Sequence, residues 1–449
     1  MRGALLTDLY ELNMAASYLR RGMDAPATFS LYVRQLPSRR GFLVAAGLAS
    51  CVDFLEDFGF DAEELGYLGA IGFDDRALED FANVRFDGEV RAVPEGRIVH
   101  GEEPILEVTA PIAVAQLVET YLLNQITLHT TVASKAARYV LAAEGRDLVD
   151  FAFRRTHGLD AADAVARGSA IVGFVATSNV EAARRLGLEV AGTMAHAFIE
   201  AFPSEEEAFR AFAEDHPKRT TFLVDTYDTP NGVRNAIETV KTLGLADHIG
   251  VRLDSGNLDQ LAREARELLD AAGLPQARIF ASGGLDEHEV ADLVRMGAPV
   301  DAFGIGTQMG VSADAPYLDT VYKLVEYDAG ATMKLSSAKV TAPGRKQVWR
   351  GPGDEGDVLG LATEAGPDGW EPLLGTVMSG GHATRPHPSL DEMRTRFSKD
   401  LAATPTKAKR LAHPEHVTVR HSDALMALTN ETRDDALERA GLMEPRGSD

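Results

Sequence analysis

Residues 249–273 read I-G-V-R-L-D-S-G-N-L-D-Q-L-A-R-E-A-R-E-L-L-D-A-A-G and hold the pattern that decides the fold. The apolar run at 249–253 predicts a buried strand, and the polar D-S-G-N that follows predicts a loop. From Leu258 onward, apolar residues recur at helical spacing and predict an amphipathic helix that ends at Gly273. A strand, a loop and a helix in this order form the repeating unit of α/β proteins.

The same alternation recurs on both sides of this stretch. Further amphipathic helices are predicted at 233–243 and 290–294, each followed by a glycine. Near-continuous apolar runs, typical of buried parallel strands, lie at 148–153, 170–176, 188–193, 221–224, 249–253, 278–281, 301–305 and 321–325. Eight such strands predict an α/β fold whose core, residues 148–330, is a closed or nearly closed β/α (TIM-like) barrel.

The flanking segments lack this rhythm. Residues 1–147 mix helical patterns with strand-like pieces such as F-D-G-E-V-R-A-V (86–93), which predicts a separate N-terminal α+β domain. Residues 331–449 carry strand-like K-Q-V-W-R (346–350) among glycine and proline and are expected to form a C-terminal extension.

Composition excludes several classes of protein. The 449 residues carry a net charge of −23, which argues against nucleic acid or an anionic membrane as partner. The single cysteine, Cys51, excludes an internal disulfide and a zinc site built from several thiolates. Acidic residues come too early at the N-terminus for a signal peptide, and no apolar stretch reaches the ~18 residues of a membrane helix, so we expect a cytoplasmic protein.

Candidate functional residues follow the predicted strands, because β/α barrels carry their chemistry at the carboxyl ends of the strands. Seven of these ends are polar or glycine-rich: R-R-T-H-G (154–158), T-S-N (177–179), A-H (195–196), D-T-Y-D (225–228), D-S-G-N (254–257), S-G-G (282–284) and G-I-G-T (304–307). Each alone is typical of a helix cap, a tight turn or a structural ion pair. Together they indicate one polar site.

The residue types at these ends indicate phosphate binding. The glycine-rich turns at 282–284 and 304–307 expose backbone N–H groups, and late loops of such barrels often bind phosphate. Arg154, Arg155 and Arg252 supply planar cations for carboxylate or phosphate. Asp225 and Asp254 are candidates to hold sugar hydroxyls, orient His196 or bind Mg²⁺. The usual P-loop and dinucleotide-binding signatures are absent from the sequence.

Eight short motifs, in order from residue 7 to about 327, resemble nicotinate phosphoribosyltransferase and, more distantly, nicotinamide phosphoribosyltransferase. They are T-D-L-Y-E-L-N-M-A (7–15), L-P-S-R-R-G-F-L-V-A-A-G-L (36–48), D-F-A-F-R-R-T-H-G (150–158), A-T-S-N-V (176–180), G-T-M-A-H (192–196), V-D-T-Y-D (224–228), V-R-L-D-S-G-N (251–257) and F-G-I-G-T (303–307).

The resemblance implies a reaction and its catalytic residues. The family joins nicotinate to 5-phosphoribosyl-1-pyrophosphate, giving nicotinate mononucleotide and pyrophosphate, and couples this to ATP hydrolysis; pyrophosphate departure implies Mg²⁺. His196 matches the histidine that ATP phosphorylates, and Asp225 is expected to orient its imidazole. Arg252 and Asp254 match residues near the ribose and phosphates. The 5-phosphate loops correspond to Ser282, Gly283, Gly284, Gly304, Gly306 and Thr307.

The resemblance also implies a pyridine pocket. Phe151 matches an aromatic residue that stacks on the ring, and Tyr10 matches one that reaches the other face from a neighbouring subunit, so a homodimer is implied. We expect Arg154 to bind the carboxylate of nicotinate and Thr177 and Ser178 to line the pocket. The nicotinamide enzyme has an aspartate at position 178, which would repel a carboxylate, so serine favours the acid.

One position departs from the family. The family usually reads R-x-D-S-G-D, whereas this chain ends the motif with Asn257, which lacks the charge to hold metal or hydroxyls as strongly. Three alternatives stay open at this point: nicotinamide as substrate, quinolinate as substrate, and a catalytically silent relative that only binds phosphoribosyl compounds.

Overall fold

The computed structural model describes residues 3–218, 220–245, 249–335 and 341–442. Its residue contacts divide the chain into two compact units: unit 1 comprises Met1–Thr131 and Tyr317–Asp449, and unit 2 comprises Val132–Pro316. The two ends of the sequence therefore pack into the same unit. The domain boundaries placed at 147/148 and 330/331 from the sequence stay a prediction.

The first segment of the chain contains six helices and five strands. The helices are α1 Leu9–Arg20, α2 Leu48–Glu56, α3 Ala62–Ala70, α4 Asp75–Ala82, α5 Ile112–Leu117 and α6 Glu119–Ala143. The strands are β1 Pro26–Val33, β2 Leu43–Val44, β3 Glu89–Ala92, β4 Ile98–Val99 and β5 Pro104–Pro111. Strand β3 confirms the strand predicted within 86–93.

The middle of the chain, unit 2, alternates strands and helices. Its strands are β6 Asp147–Asp150, β7 Ala176–Thr177, β8 Glu189–Val190, β9 Thr220–Leu223, β10 Ile249–Leu253, β11 Arg278–Ala281 and β12 Ala302–Ile305. Its helices are α7 Leu159–Ile171, α8 Val180–Leu186, α9 His196–Glu200, α10 Glu205–Asp215, α11 Thr229–Leu243, α12 Leu258–Ala271, α13 Glu287–Arg295 and α14 Thr307–Gly310, with a 3₁₀ turn at Phe153–Arg155.

The last segment returns to unit 1. It holds β13 Thr320–Tyr327, β14 Gly330–Ala331, β15 Lys346–Arg350, β16 Asp357–Leu361, β17 Glu371–Pro372, β18 Gly375–Ser379, β19 His382–Ala383, β20 Val419–His421, α15 Leu390–Ala403, α16 Asp423–Arg439 and a 3₁₀ turn at Gly353–Glu355. Strand β15 confirms the strand predicted at 346–350. Unit 1 contains an antiparallel sheet of order β14-β13-β1-β5-β3-β18-β19, a sheet β17-β15-β16-β20 and the pair β2-β4.

The sheet of unit 2 is parallel throughout and has the order β8-β7-β6-β12-β11-β10-β9. Fully buried side chains such as Phe222, Val251 and Phe303 form its core. Within the described residues, the edge strands β8 and β9 do not pair with each other. The structure therefore shows a seven-stranded parallel half-barrel rather than the complete barrel expected from eight strands.

Two of the predicted barrel strands are wrong. The run at 170–176 begins inside α7, which continues to Ile171, and only Ala176 belongs to a strand. The run at 321–325 lies in β13, which pairs antiparallel with β1 of unit 1 from Val33↔Thr320 to Ala27↔Tyr327. A short apolar run is equally compatible with a buried helix end or with a strand of another sheet, because burial alone selects for it.

Among the described residues, none of the helices combines the length and apolar character needed to cross a bilayer.

Candidate active site

Arg252, on β10, is the centre of a hydrogen-bonded cluster at the carboxyl ends of the strands of unit 2. Its guanidinium donates from Nε to Ser282 Oγ at 2.8 Å, from Nη1 to Thr193 Oγ1 at 3.0 Å and from Nη2 to Asp254 Oδ1 at 2.6 Å. All three groups of donors are used, so the side chain is held in one orientation. The structure thus brings together predicted residues from two neighbouring strand ends, Arg252 and Asp254 from β10 and its loop and Ser282 from the loop after β11.

Asp254 is held as a carboxylate in this cluster. Burial on its own would raise its pKa, but the hydrogen bond from Ser282 Oγ at 2.5 Å, the positive charge of Arg252 and a smaller effect of His196 together lower the pKa below its usual value. A charged carboxylate beside an oriented guanidinium offers an acceptor and a donor for a ribose phosphate.

Phe151 follows β6 and forms an aromatic wall next to the cluster. The guanidinium carbon of Arg252 lies 5.4 Å from the centre of its ring, and the centre of the Phe280 ring lies 5.6 Å away. A cavity of about 730 Å³ touches Phe151, Thr193 and Phe280, but it opens toward the amino ends of β9, β10 and β11, where Thr220, Ile249 and Arg278 line it. An aromatic wall of this kind can accept a flat ring, and the stacking role of Phe151 stays a prediction.

Gly304 and Gly306, both predicted to lie in a phosphate-binding loop, have different positions in the structure. Gly304 lies inside β12, and a Cβ there would come within 2.7 Å of ring atoms of both Phe151 and Phe280. Its role in the structure is therefore to leave room for the aromatic wall rather than to form a turn. Gly306 precedes α14, whose first residue is Thr307, and so lies in the loop itself.

The Ser282-Gly283-Gly284 turn has positive φ angles, +104° at Gly283 and +83° at Gly284, which glycine adopts without strain. A Cβ on Gly283 would lie 1.8 Å from the backbone oxygen of Asp254, whereas a Cβ on Gly284 would meet no atom within 4 Å. Gly283 thus allows the turn to approach the Asp254 backbone directly.

We expect Gly283→Ala to be far more damaging than Gly284→Ala. The second substitution adds only the strain of a positive φ, about 1–2 kcal/mol, while the first adds a collision that must displace the backbone of Asp254. Thermal unfolding and product formation of both variants check this. Equal losses in the two variants would contradict the prediction.

His196, the first residue of α9, lies with its Nδ1 3.1 Å from Thr226 Oγ1. The hydrogen bond expected from Asp225 is wrong in this structure, because Oδ2 of Asp225 accepts from the Asp254 N–H at 2.9 Å and from Ser255 Oγ at 2.7 Å. Asp225 therefore supports the Asp254 backbone, and Thr226 orients the imidazole.

Sequence reasoning missed three hydroxyl residues of this site: Thr193, Thr226 and Ser255. Each lies inside a family motif, G-T-M-A-H, V-D-T-Y-D or R-L-D-S-G-N, and Thr226 and Ser255 directly follow the candidates Asp225 and Asp254. Threonine and serine attract little attention in a sequence, because in loops they are commonly turn or cap residues.

Oδ1 of Asp225 is buried and has no hydrogen-bond partner among the described residues. Such an oxygen calls for a cation or a donor. Over the same residues, no group of three or more histidine, cysteine or acidic side chains is arranged to hold a metal ion. Mg²⁺, however, is usually bound by one or two carboxylates together with substrate phosphates, so Asp225 and its neighbour Asp254 fit that mode of binding.

In the loop after β7, the hydroxyl groups of Thr177 and Ser178 differ in their hydrogen bonding. The Thr177 hydroxyl donates to Asp150 Oδ2 at 2.7 Å and accepts from the Asn179 N–H at 3.0 Å, so it holds the loop. Ser178 donates its N–H to the backbone oxygen of Asp150 at 2.8 Å. Its hydroxyl makes no hydrogen bond to the described part of the chain and is available to a ligand.

Several polar strand-end residues cap helices, as the ordinary interpretation of such residues predicts. Asn179 accepts from the Ala182 N–H at 3.1 Å, Asp228 from the Asn231 N–H at 3.0 Å and Asn257 from the Gln260 N–H at 3.2 Å. Asn257 therefore keeps the capping function that an aspartate would have, because both side chains offer an acceptor oxygen.

The two remaining candidates are exposed. Arg154 lies in the 3₁₀ turn Phe153–Arg155, and its guanidinium has no ion-pair or hydrogen-bond partner among the described residues. Tyr10 belongs to α1 of unit 1; its ring is 48% exposed and its hydroxyl donates to Glu11 Oε1 at 3.1 Å. Both side chains are thus accessible to other molecules.

Known proteins match the chain over most of its length. The family model of the nicotinate phosphoribosyltransferase N-terminal domain matches residues 5–127, that of the nicotinate phosphoribosyltransferase family 147–344, and that of its C-terminal domain 362–429. A nicotinate phosphoribosyltransferase of Mycobacterium tuberculosis is 49% identical over 415 residues, covering 91% of this chain and 89% of that protein. The Bacillus subtilis enzyme is 42% identical over 376 residues, covering 80% and 76%.

Solved structures agree with these matches. The crystal structure of human nicotinic acid phosphoribosyltransferase has a TM-score of 0.86 to this chain at 30% identity and covers 95% of this chain and 99% of its own. A nicotinate-nucleotide pyrophosphorylase from Pyrococcus furiosus has a TM-score of 0.74 at 26% identity, with coverage of 89% and 95%. The chain belongs to the nicotinate phosphoribosyltransferase family.

Proposed function

We propose that this protein is an enzyme of NAD biosynthesis that transfers the phosphoribosyl group of 5-phosphoribosyl-1-pyrophosphate to nicotinate, forming nicotinate mononucleotide and pyrophosphate. The observation that carries this proposal is the Arg252–Asp254–Ser282 cluster beside Phe151, found in a chain whose relatives are named for this reaction. The cluster offers groups for a sugar phosphate, and the aromatic wall offers a place for a flat ring.

The reaction breaks the bond between C1 of the ribose and the pyrophosphate oxygen and forms a bond from C1 to the pyridine nitrogen. Positive charge develops on the ribose as pyrophosphate leaves, and the carboxylate of Asp254 is placed to stabilise it. Arg252 holds Asp254 in position and shares its charge with the leaving phosphates. Backbone N–H groups of the turns at Gly283-Gly284 and Gly306-Thr307 bind the 5-phosphate.

Mg²⁺ would be held by the carboxylates of Asp225 and Asp254 together with substrate oxygens, since Asp225 Oδ1 is buried and without a partner in the described part of the chain. When bound, it neutralises charge on the departing pyrophosphate.

ATP is part of the proposal as a second substrate. Nε2 of His196, which has no hydrogen-bond partner among the described residues, attacks the γ-phosphorus of ATP while Nδ1 lies next to Thr226; the bond from the γ-phosphorus to the bridging oxygen breaks and ADP leaves. Phosphorylation of His196 would add negative charge close to Asp254 and Arg252 and so alter the affinity of the site for phosphates.

We propose that Arg154 binds the carboxylate of nicotinate and that Ser178 selects the acid over the amide. Because the Ser178 hydroxyl is free among the described residues, Ser178→Asp adds a carboxylate where the substrate carboxylate would lie. We expect nicotinate use to fall by at least about tenfold and nicotinamide use to rise. Competition between the two pyridines measures the change. Ser178→Ala, which adds no charge, is the matched control, and an unchanged preference in Ser178→Asp would contradict the assignment.

The proposal extends to the assembly and the location of the enzyme. The exposed ring of Tyr10 supports a homodimer in which Tyr10 of one subunit stacks on the pyridine of the other. A cytoplasmic location and a closed or nearly closed barrel are further parts of the proposal. Mixing Tyr10→Ala with an Arg252→Met variant tests this: shared sites would restore part of the activity, whereas independent subunits would not.

The experiment for the function as a whole is product formation from phosphoribosyl pyrophosphate and Mg²⁺ with nicotinate, nicotinamide or quinolinate, each with and without ATP. The proposal is supported if nicotinate, and neither of the other two pyridines, is converted to its mononucleotide. Release of pyrophosphate with quinolinate instead would favour the quinolinate alternative, and tight binding without any product would favour a silent relative.

A further inference from the structure

Four charged side chains form a buried cluster in unit 2, which we call the charge cluster: Lys135, Arg138, Glu287 and Asp314. Lys135 Nζ lies 2.6 Å from Glu287 Oε2 and 2.9 Å from Asp314 Oδ1. Arg138 Nε lies 2.7 Å from Glu287 Oε1 and 3.7 Å from Asp314 Oδ2. Every one of the four side chains is 5% exposed or less.

The charge cluster is balanced, with two cations and two anions. Burial on its own would raise the pKa of Glu287, but the charges and hydrogen bonds of Lys135 and Arg138 lower it below its usual value. Glu287 is therefore ionised, and each cation contacts both acids. Buried ion pairs of this kind add little to stability, because the cost of desolvating the charges offsets their attraction. They do hold the four side chains in one arrangement, since a buried charge that lost its partner would be destabilising.

The two acids come from the segments that follow the two glycine loops. Glu287 is the first residue of α13, three positions after Gly284, and Asp314 lies shortly after α14, which begins at Thr307. Both cations, in contrast, lie on α6, one turn apart. The same two side chains of α6 thus contact the segments that follow both loops, 282–284 and 304–307.

Further hydrogen bonds hold the segment that follows the turn at 282–284. The Tyr139 hydroxyl, also on α6, donates to the backbone oxygen of Leu285 at 3.1 Å. Asp286 Oδ1 accepts from the His288 and Glu289 N–H groups, both at 2.8 Å, and so fixes the start of α13. The turn at 282–284 therefore ends in a segment anchored by α6 on one side and by its own helix cap on the other.

We propose that Lys135 and Arg138 are positioning residues that set the spacing between the loops at 282–284 and 304–307, so that N–H groups from both loops reach one phosphate. This inference rests on the proposed function, which assigns the 5-phosphate to these loops. Phosphate binding by backbone N–H groups depends on their relative placement, and displacement by about 1 Å can cost ~10²-fold in rate.

The test uses the double variant Lys135→Met/Glu287→Gln in the full-length protein. It removes one charge of each sign, keeps the cluster neutral and leaves an amide oxygen to accept from Arg138, so the chance of folding is better than with a single change. We expect KM for phosphoribosyl pyrophosphate to rise by about tenfold or more, with KM for nicotinate changed by less than about twofold. Calorimetric binding of phosphoribosyl pyrophosphate should weaken by a similar factor.

The matched control is Arg97→Met/Asp400→Asn, which neutralises a buried ion pair of 2.8 Å in unit 1. A purely structural role predicts that both double variants lose thermal stability and keep wild-type affinity for phosphoribosyl pyrophosphate, and that result would overturn the proposal. The binding measurement needs no turnover. A wild type that binds phosphoribosyl pyrophosphate without forming nucleotide would refute the proposed function, and the comparison of affinities would still decide the positioning role.

Discussion

His196→Ala should reduce nucleotide formation in the presence of ATP to the rate that the wild type shows without ATP. The imidazole is the group proposed to accept the phosphoryl of ATP, and alanine offers no atom for it. Because Arg252, Asp254 and Ser282 contact one another without His196, the basal transfer should persist. Initial rates with and without ATP measure this effect, and labelling with γ-labelled ATP shows whether the protein is phosphorylated.

Two further variants sharpen this prediction. His382→Ala removes an exposed histidine of unit 1 and should keep both the labelling and the stimulation. Thr226→Val removes the oxygen beside Nδ1 and should weaken the stimulation without abolishing it, since the imidazole remains. Full stimulation by ATP in His196→Ala would exclude His196 as the phosphorylated residue.

Arg252→Met should cause the largest loss of basal activity, roughly 10²–10³-fold in kcat/KM. The guanidinium contacts Thr193, Asp254 and Ser282 at once and lies over the ring of Phe151. Methionine fills much of the volume but leaves all three partners without their donor. Arg252→Lys keeps the charge but loses the planar guanidinium, so its activity should lie between that of the wild type and that of Arg252→Met.

The same substitution changes the pH dependence. The pKa of Asp254 is below its usual value in part because of Arg252, so removal of the guanidinium should raise it. A carboxylate with a raised pKa becomes protonated at higher pH, so the acidic limb of the pH–activity profile should move to higher pH in Arg252→Met. The profile of kcat/KM measures this shift. An unmoved acidic limb, or a loss of activity below tenfold, would show that Asp254 and Arg252 do not act together.

The residues that lie together at the strand ends were easier to select from the sequence than the contacts among them. Arg252 and Asp254 were chosen from the end of one predicted strand and Ser282 from the end of the next, and the parallel sheet brings the three within hydrogen-bond distance of one another. The partner of His196 was not predictable in the same way. Asp225 and Thr226 are adjacent in sequence, and only the direction of each side chain in the folded loop decides which one reaches the imidazole.

The strands were likewise easier to predict from the sequence than the sheets to which they belong. The strands at 249–253 and 278–281 were predicted with the observed bounds, because each is a short apolar run flanked by clear loop and helix signals. The run at 321–325 is equally apolar, yet it belongs to the antiparallel sheet of unit 1 and pairs with β1. Its partner is almost three hundred residues away in the chain, and no local pattern identifies such a partner.

The sequence by itself determined the alternation of strands and helices, the polar ends of the strands and the family, because each of these depends on side-chain types within a few tens of residues. Tertiary structure alone decided that β8 and β9 do not pair within the described residues, that Thr226 faces His196, and that Gly304 makes room for Phe151 and Phe280. These features depend on packing between distant segments. The free energy of packing is summed over many weak contacts, and no single residue type records it.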